Sequence, residues 1–449
     1  MNIAALLDKI PHHTAFYTVD ELADQGRALA ARYPGIVEHS AVGASRQGDP
    51  LWRIKIGNGA KQALCFACPH PNEPIGAMTL ITLAQLLAED PALLEETGMT
   101  WHLIPCIDPD GTRLNEGWFK GPFKLENYVR HFYRPAGRNQ VEWTFPLSYK
   151  GHTWSSPIPE TAHLMALIED LKPAFVFSLH NCAFGGAYWY LGRDIPALSP
   201  LLEGAAARQG VPLHLGEPES PYITKYSKAV HSMMSMKAYY DWMEARGQGI
   251  PPGPMGCGTC SADFIGTVCN ALTLMAELPY FFVPGIDDDS PGDMSRRAAL
   301  DARDARRAET YAFLNAQWGR IGHLFDAGNP FPGLVGDAIA YMSGPRRALD
   351  GPGFDRAATK AEIFDSLYIS RIFEALDLGL ALRACDYALE HRDLLGADIA
   401  ALNTAKGEID ALLVRQCRAL EAGCPYTVGD IRKLVAVQLE SALHTIAFC

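Results

Sequence analysis

Residues 63–73 read ALCFACPHPNE: an unbroken apolar run, a proline, then a histidine and a glutamate three residues apart. A short run with no polar alternation reads as a strand buried on both faces, as in a sheet covered by helices on each side. Similar runs recur as WHLIPC (101–106), AFVFSL (174–179) and ALTLMAEL (271–278). Helical stretches lie between them, one from about Ile75 to Ala88 and another beginning near Pro159. Strands alternating with helices predict an α/β fold whose sheet is sandwiched by helices.

Working outward, Thr18 and Glu21 have the spacing of a capping box and open a helix to about Arg32. Two strands follow, separated by the turn SRQGDP; in the second, LWRIKI, Trp52, Ile54 and Ile56 alternate with Arg53 and Lys55. Toward the other end, Ala298 to Phe325 is helical in pattern, and the next segment is rich in glycine and proline. We divide the chain into a catalytic domain over 1–330, a linker over 331–354 and an all-helical C-terminal region over 355–449. That region reads as three helices, with no strand signal.

Bulk composition narrows the function. The chain has 449 residues, 48% hydrophobic and 20% charged, as expected of a soluble globular protein. A net charge of −12 argues against nucleic-acid binding, because a phosphate backbone wants a basic face. No apolar run reaches the roughly 18 residues of a membrane span. The start, MNIAALLDKIPHH, lacks the basic end and long apolar core of a signal peptide, so a cytoplasmic location is expected. The 11 cysteines are odd in number and scattered, which is not a disulfide framework. Two CxxC pairs occur, Cys65/Cys68 and Cys257/Cys260. The first lies in the ALCFAC run, where residues three apart point to opposite faces and would not grip one ion.

The chemistry sits at the strand ends. Alone, His70-Pro-Asn-Glu73 reads as a surface turn. His180, however, also ends an apolar run, followed by NCAFGG, whose paired glycines allow close backbone approach. Glu277 ends a third, where a carboxylate is costly to bury unless paired or functional. In open α/β sheets the carboxyl ends of strands are where ligands bind. Two histidines and a glutamate are a catalytic zinc set that leaves a position for water. Glu277 would then serve as general base.

The order of these pieces, with Asp108-Pro-Asp-Gly111 and Pro159-Glu160-Thr161 between them, resembles the zinc carboxypeptidase family, and bacterial members in particular, over about residues 12–325. The resemblance implies a mixed, twisted, eight-stranded sheet, zinc held by His70, Glu73 and His180, and hydrolysis of a C-terminal peptide bond with Glu277 as base. It does not extend to the C-terminal helices.

The match has gaps. Where the family carries an Asn-Arg pair for the substrate carboxylate, this chain has Val141-Glu-Trp-Thr-Phe-Pro146. Arg113, Arg130, Arg134 and Arg138 are the nearby arginines; we expect Arg134 and Arg113 to bind a carboxylate or stabilise an oxyanion, with Arg138 a further substrate contact. The pocket segment resembles GTCSADF, which makes Ala262 and Asp263 specificity residues. Met255 stands where the family has a mobile tyrosine, with Tyr222 and Tyr226 as conceivable substitutes, and the stretch from Glu217 to Gly256 reads as a lid.

Two hydrolase readings follow: a metallocarboxypeptidase acting on a small peptide, or a zinc amidase acting on acyl-amino acids or cell-wall peptide fragments. A non-catalytic binding protein is the third. The apolar faces of the C-terminal helices need a partner surface, either the catalytic domain or a second copy in a homodimer.

Overall fold

In the computed structural model the described residues are 1–247, 258–343 and 352–449. Nine strands form one mixed sheet: β1 (Val37–Ala44), β2 (Pro50–Ile56), β3 (Lys61–Ala67), β4 (Met99–Ile104), β5 (Phe175–His180), β6 (Tyr188–Leu191), β7 (Lys225–Ser227), β8 (Val230–Ser232) and β9 (Leu272–Glu277). Their spatial order is β1-β2-β4-β3-β5-β9-β6-β8-β7. The sheet has nine strands where eight were expected, and the short β7–β8 hairpin forms its edge beside β6. The centre, β4-β3-β5-β9, is parallel, and its strands are the four apolar runs of the sequence.

The two faces bury different residues. Ala63, Cys65 and Ala67 of β3 join Phe175, Phe177 and Leu179 of β5 on one side. Leu64, Phe66 and Val176 face the other. Helices α1 (Val19–Arg32), α2 (Ile75–Glu89) and α4 (Ser199–Gln209) cover the first side, and α3 (Pro159–Leu171) covers the second. The capping box at Thr18 and Glu21 is formed in full. Cys68 leaves β3 with φ 53°, so it falls on the same side as Cys65, with Sγ against the carbonyls of Glu73 and Pro105. The strand rule that separated these two cysteines therefore stops at Ala67. Cys257 of the second pair lies outside the described residues.

Past the sheet run α5 (Arg296–Ile321), α6 (Pro332–Ser343), α7 (Arg371–His391), α8 (Gly396–Gly423) and α9 (Ile431–Thr445). The segment read as a linker thus contains a helix, begun by Pro332 and holding Val335 and Ile339 in the core. Glycine and proline density hid that apolar spacing; residues 344–351 of the segment lie outside the described residues, and its end belongs to the short helix Pro352–Asp355. Two short strands, Ala357–Thr359 and Thr427–Val428, also interrupt the region expected to be wholly helical.

The C-terminal helices share the core of the sheet domain rather than building their own. Helix α9 lies on α2 and α4. Its Ser441 Oγ accepts a bond of 3.0 Å from Trp189 Nε1, and its Gln438 Nε2 donates to the carbonyl of His180 at 3.0 Å. Gln438 Oε1 in turn accepts from Thr79 on α2. Helix α7 passes close to the helix Leu125–His131 because residue 379 is glycine: a Cβ there would sit 2.2 Å from the Val129 carbonyl oxygen. Arg306 and Thr310 of α5 bind the fully buried Glu374 of α7. The apolar faces left unassigned by the sequence therefore meet the sheet domain of the same chain.

Among the described residues no single helix is long and apolar enough to cross a membrane; α2 passes only together with the next short helix, bent 109° from it.

One core has a measurable consequence. Leu439→Ala removes a fully buried side chain from α9 and should destabilise the whole chain by about 2–5 kcal/mol in denaturant titration. A separate early transition confined to the C-terminal helices, with the sheet unaffected, would contradict the shared core.

Candidate metal centre

Three neighbouring parallel strands deliver the site. β3 ends at Ala67, and the chain then turns so that Glu73 N–H donates to the His70 carbonyl at 3.1 Å. Helix α2 starts directly after it, with Ile75 N–H held by Asn181 Oδ1 at 3.1 Å. His180 closes β5, and Glu277 is its register partner on β9. On β5, Val176, Ser178 and His180 share a face by the two-residue repeat.

The donor atoms converge. His180 Nδ1 lies 3.1 Å from His70 Nδ1 and 3.0 Å from Glu73 Oε2, and His70 Nδ1 lies 3.1 Å from Glu73 Oε1. Four ligands about 2.0–2.1 Å from a tetrahedral zinc would be about 3.3 Å apart. The observed triangle is close to that. Two imidazole nitrogens and a carboxylate facing one another are poorly satisfied without a cation, because an imidazole nitrogen that accepts cannot also donate. The donor set and its spacing therefore fit zinc, and among the described residues this is the one such group found.

Electrostatics agree. Burial opposes charge on His180, but Glu73, Glu142 and Glu277 outweigh it and hold the imidazole at about 10. Burial and the Arg134 charge push His70 down to about 4. Burial also opposes ionisation of Glu73, yet the two histidines keep it well below the usual carboxylate range. For Glu277, burial and then the Glu73 charge raise the pKa well above normal. A divalent cation beside it would act in the opposite sense.

Glu142 was missed by the sequence reading, which noted its segment only for lacking an arginine. It is 2% exposed and accepts from Ser178 Oγ (2.8 Å), Ser261 N–H (2.8 Å) and Ser261 Oγ (3.0 Å). Ser178 Oγ also lies 2.7 Å from His180 Nε2. With His180 Nδ1 turned to the metal, Nε2–H donates to Ser178 and Ser178 donates to Glu142. Such a chain fixes the tautomer and raises ligand basicity. No spacing rule flags Glu142; only its place inside an apolar run hinted at burial.

The centre opens into a cavity of about 800 Å³. Arg134 lines it, with Nη1 3.6 Å from Glu73 Oε1 and Nε donating to Gln140 at 3.3 Å. Ala262, Tyr222 and Glu277 also line it. Three other expected residues do not. Arg113 is tied to Asp49 (2.6 Å) and Asp20 (2.8 Å), because the helix Pro109–Arg113 turns its side chain toward α1. Arg138 faces Asp337 at 3.4 Å and is largely exposed. Asp263 spends its carboxylate on Thr259 and Ser235 near the start of its own helix. Arg130 pairs with Glu126 and Asp410, and Tyr226 is likewise not a lining residue. Met255 and the last part of the expected lid, residues 248–256, lie outside the described residues; the part before them holds β7, β8 and the helix Met236–Glu244. The wall is completed by residues from the C-terminal half, among them Arg307, Tyr311, Phe373 and Leu376.

A zinc ion at this site would have to displace the proton that the carboxylates favour on His180, so zinc affinity should rise about tenfold per pH unit between about pH 6 and pH 8. In competition titrations, Glu142→Gln should weaken zinc binding by about 10–100-fold through His180. Unchanged affinity would show that the Ser178–Glu142 chain does not support the ligand.

Comparison with known proteins was made on this geometry. No curated protein sequence matches the chain. Among solved structures, the chain is similar to carboxypeptidase A from Helicoverpa armigera, at 13% identity and a TM-score of 0.40, covering 62% of this chain and 69% of that one. It is also similar to bovine thrombin-activatable fibrinolysis inhibitor, at 12% identity and a TM-score of 0.36, covering 58% and 86%. A metallo-carboxypeptidase from Pseudomonas aeruginosa gives 17% identity and a TM-score of 0.32, covering 59% of this chain and 60% of that one. Residues 23–191, the stretch that carries His70, Glu73, Glu142 and His180, match the zinc carboxypeptidase family.

Proposed function

We propose that the protein is a zinc-dependent metallocarboxypeptidase that hydrolyses the C-terminal peptide or amide bond of a small peptide-like substrate. The observation that carries this reading is the meeting of His70, Glu73, His180 and Glu277 at the floor of one cavity, with Glu277 Oε1 3.8 Å from His180 Nδ1. Zinc held by the first three residues would polarise the scissile carbonyl and acidify the attacking water. Glu277 takes the proton from that water and passes it to the leaving nitrogen. Arg134, the cavity arginine beside Glu73, is placed to bind the substrate carboxylate or the developing oxyanion. Ala262 leaves room in the wall for a substrate side chain. A cavity of about 800 Å³, partly walled by C-terminal helices, suits a short substrate better than a folded protein's tail.

One observation favours a zinc amidase instead. At the place where the resemblance calls for an Asn-Arg pair, Glu142 is buried beneath His180 and offers no cation to a terminal carboxylate. An N-acyl amino acid would then be held by Arg134 alone. Both readings use the same zinc and the same base.

The test is zinc content together with turnover of short peptides and N-acyl amino acids. Bound zinc near one per chain is expected, and Glu277→Gln should lower kcat by about 10²–10⁴-fold. Failure to take up supplied zinc, or full activity in Glu277→Gln, would overturn the assignment. Whichever substrate group gives the higher kcat/KM selects between carboxypeptidase and amidase.

A further inference from the structure

Glu219 lines the same cavity and has no part in the chemistry above. Its Oε1 accepts the hydroxyl of Tyr188 at 2.7 Å, and its Oε2 accepts the hydroxyl of Tyr190 at 2.7 Å. Both tyrosines are buried, on one face of β6, with ring centroids 5.7 Å apart. β6 runs antiparallel to β9, and Tyr188 is the register partner of Glu277. Glu219 therefore stands about one tyrosine side chain away from the proposed general base.

The carboxylate is anchored but not neutralised. Among the described residues no lysine, arginine or histidine lies within 4.0 Å of it, whereas Glu217, two residues earlier, is gripped by Arg296 at 2.6 Å. Of the other cavity arginines, Arg134 stands beside Glu73, Arg246 over the Trp242 ring and Arg303 on Asp304, and the charge of Arg307 acts on Asp377. Each Glu219 oxygen accepts one tyrosyl hydrogen, and a carboxylate has about four acceptor sites, so capacity remains for two more donors. The tyrosines donate and bring no charge. Burial and the Glu219 charge both raise their pKa, so they keep their protons. Tyr222 and Tyr239, with rings 5.7 Å apart, line the cavity too and add aromatic surface. A fixed anion with aromatic neighbours in a cleft is the chemistry that recognises an ammonium or guanidinium group.

We propose, resting on the hydrolase reading, that Glu219 is a specificity-determining residue that pairs with a cationic group of the substrate. Tyr188 and Tyr190 are positioning residues that hold the carboxylate in place. The cation is either the free α-amino group of a short peptide or a basic side chain.

The test uses zinc-loaded full-length protein and substrate pairs that differ only in charge: a free against an acetylated α-amino group, and lysine against norleucine. For the pair that carries the recognised cation, wild type should favour the charged member in kcat/KM. Glu219→Gln should shrink that preference by about 10–100-fold. Glu219→Asp, which keeps the charge, should restore part of it. Tyr188→Phe with Tyr190→Phe should weaken it mainly through KM. Zinc content and melting temperature report whether each variant folds. Calorimetric binding of the same pairs to the Glu277→Gln protein gives a readout independent of turnover. Loss of charge preference in Glu219→Gln binding, with no hydrolysis by wild type, would keep the cation site and sink the hydrolase. A charge preference that is absent in wild type, or unchanged in Glu219→Gln, overturns the proposal.

Discussion

His180 lies within 4 Å of three buried carboxylates: Glu73 at 3.0 Å, Glu142 at 3.6 Å and Glu277 at 3.8 Å. Three carboxylates withdrawn from water around one imidazole are tolerable only with positive charge at their centre. A protonated His180 supplies one charge, and a zinc ion in its place supplies two. Much of the site's arrangement follows from this constraint. Ser178 and Ser261 donate to Glu142, Arg134 stands by Glu73, and Gln438 holds the carbonyl of His180 itself.

That last contact ties the C-terminal region to the chemistry. Gln438 belongs to α9, more than 250 residues from His180 in sequence, and it bridges the ligand's backbone to Thr79 on α2. The same region supplies one wall of the cavity. The added helices are thus part of the frame of the candidate site: they anchor the strand of His180 from behind and narrow the space in front of it. A cleft walled in this manner trades access for selectivity, which is consistent with small substrates.

The cavity also separates two kinds of carboxylate. Glu73 and Glu277 face His180 at the candidate metal centre, where a cation between them would make two charges tolerable. Among the described residues, Glu219 is held by hydroxyls alone. Its neighbour Glu217 shows what neutralisation by the protein looks like here, a guanidinium bound through two nitrogens. Within three residues, Arg296 neutralises one carboxylate, and among the described residues no cation lies within 4.0 Å of the other.

The sequence by itself determined the strands, and with them the strand-end residues that meet at the candidate site. An apolar run ending in histidine or glutamate is local information, because a fully buried strand must be apolar along its length and its carboxyl end is where polar groups reach the cleft. Hence His70, Glu73, His180 and Glu277 were legible, and so were most helices. Tertiary structure decided what depends on neighbours distant in sequence. It turned Arg113 toward Asp20 and Asp49, set Asp263 on its own helix start, and put Glu142 under His180. It also laid α9 against α2 and made a helix of Pro332–Ser343 within a stretch rich in glycine and proline. A side chain's charge and length are written in the sequence, but its partner is chosen by which elements pack together, and packing is set by the whole core at once.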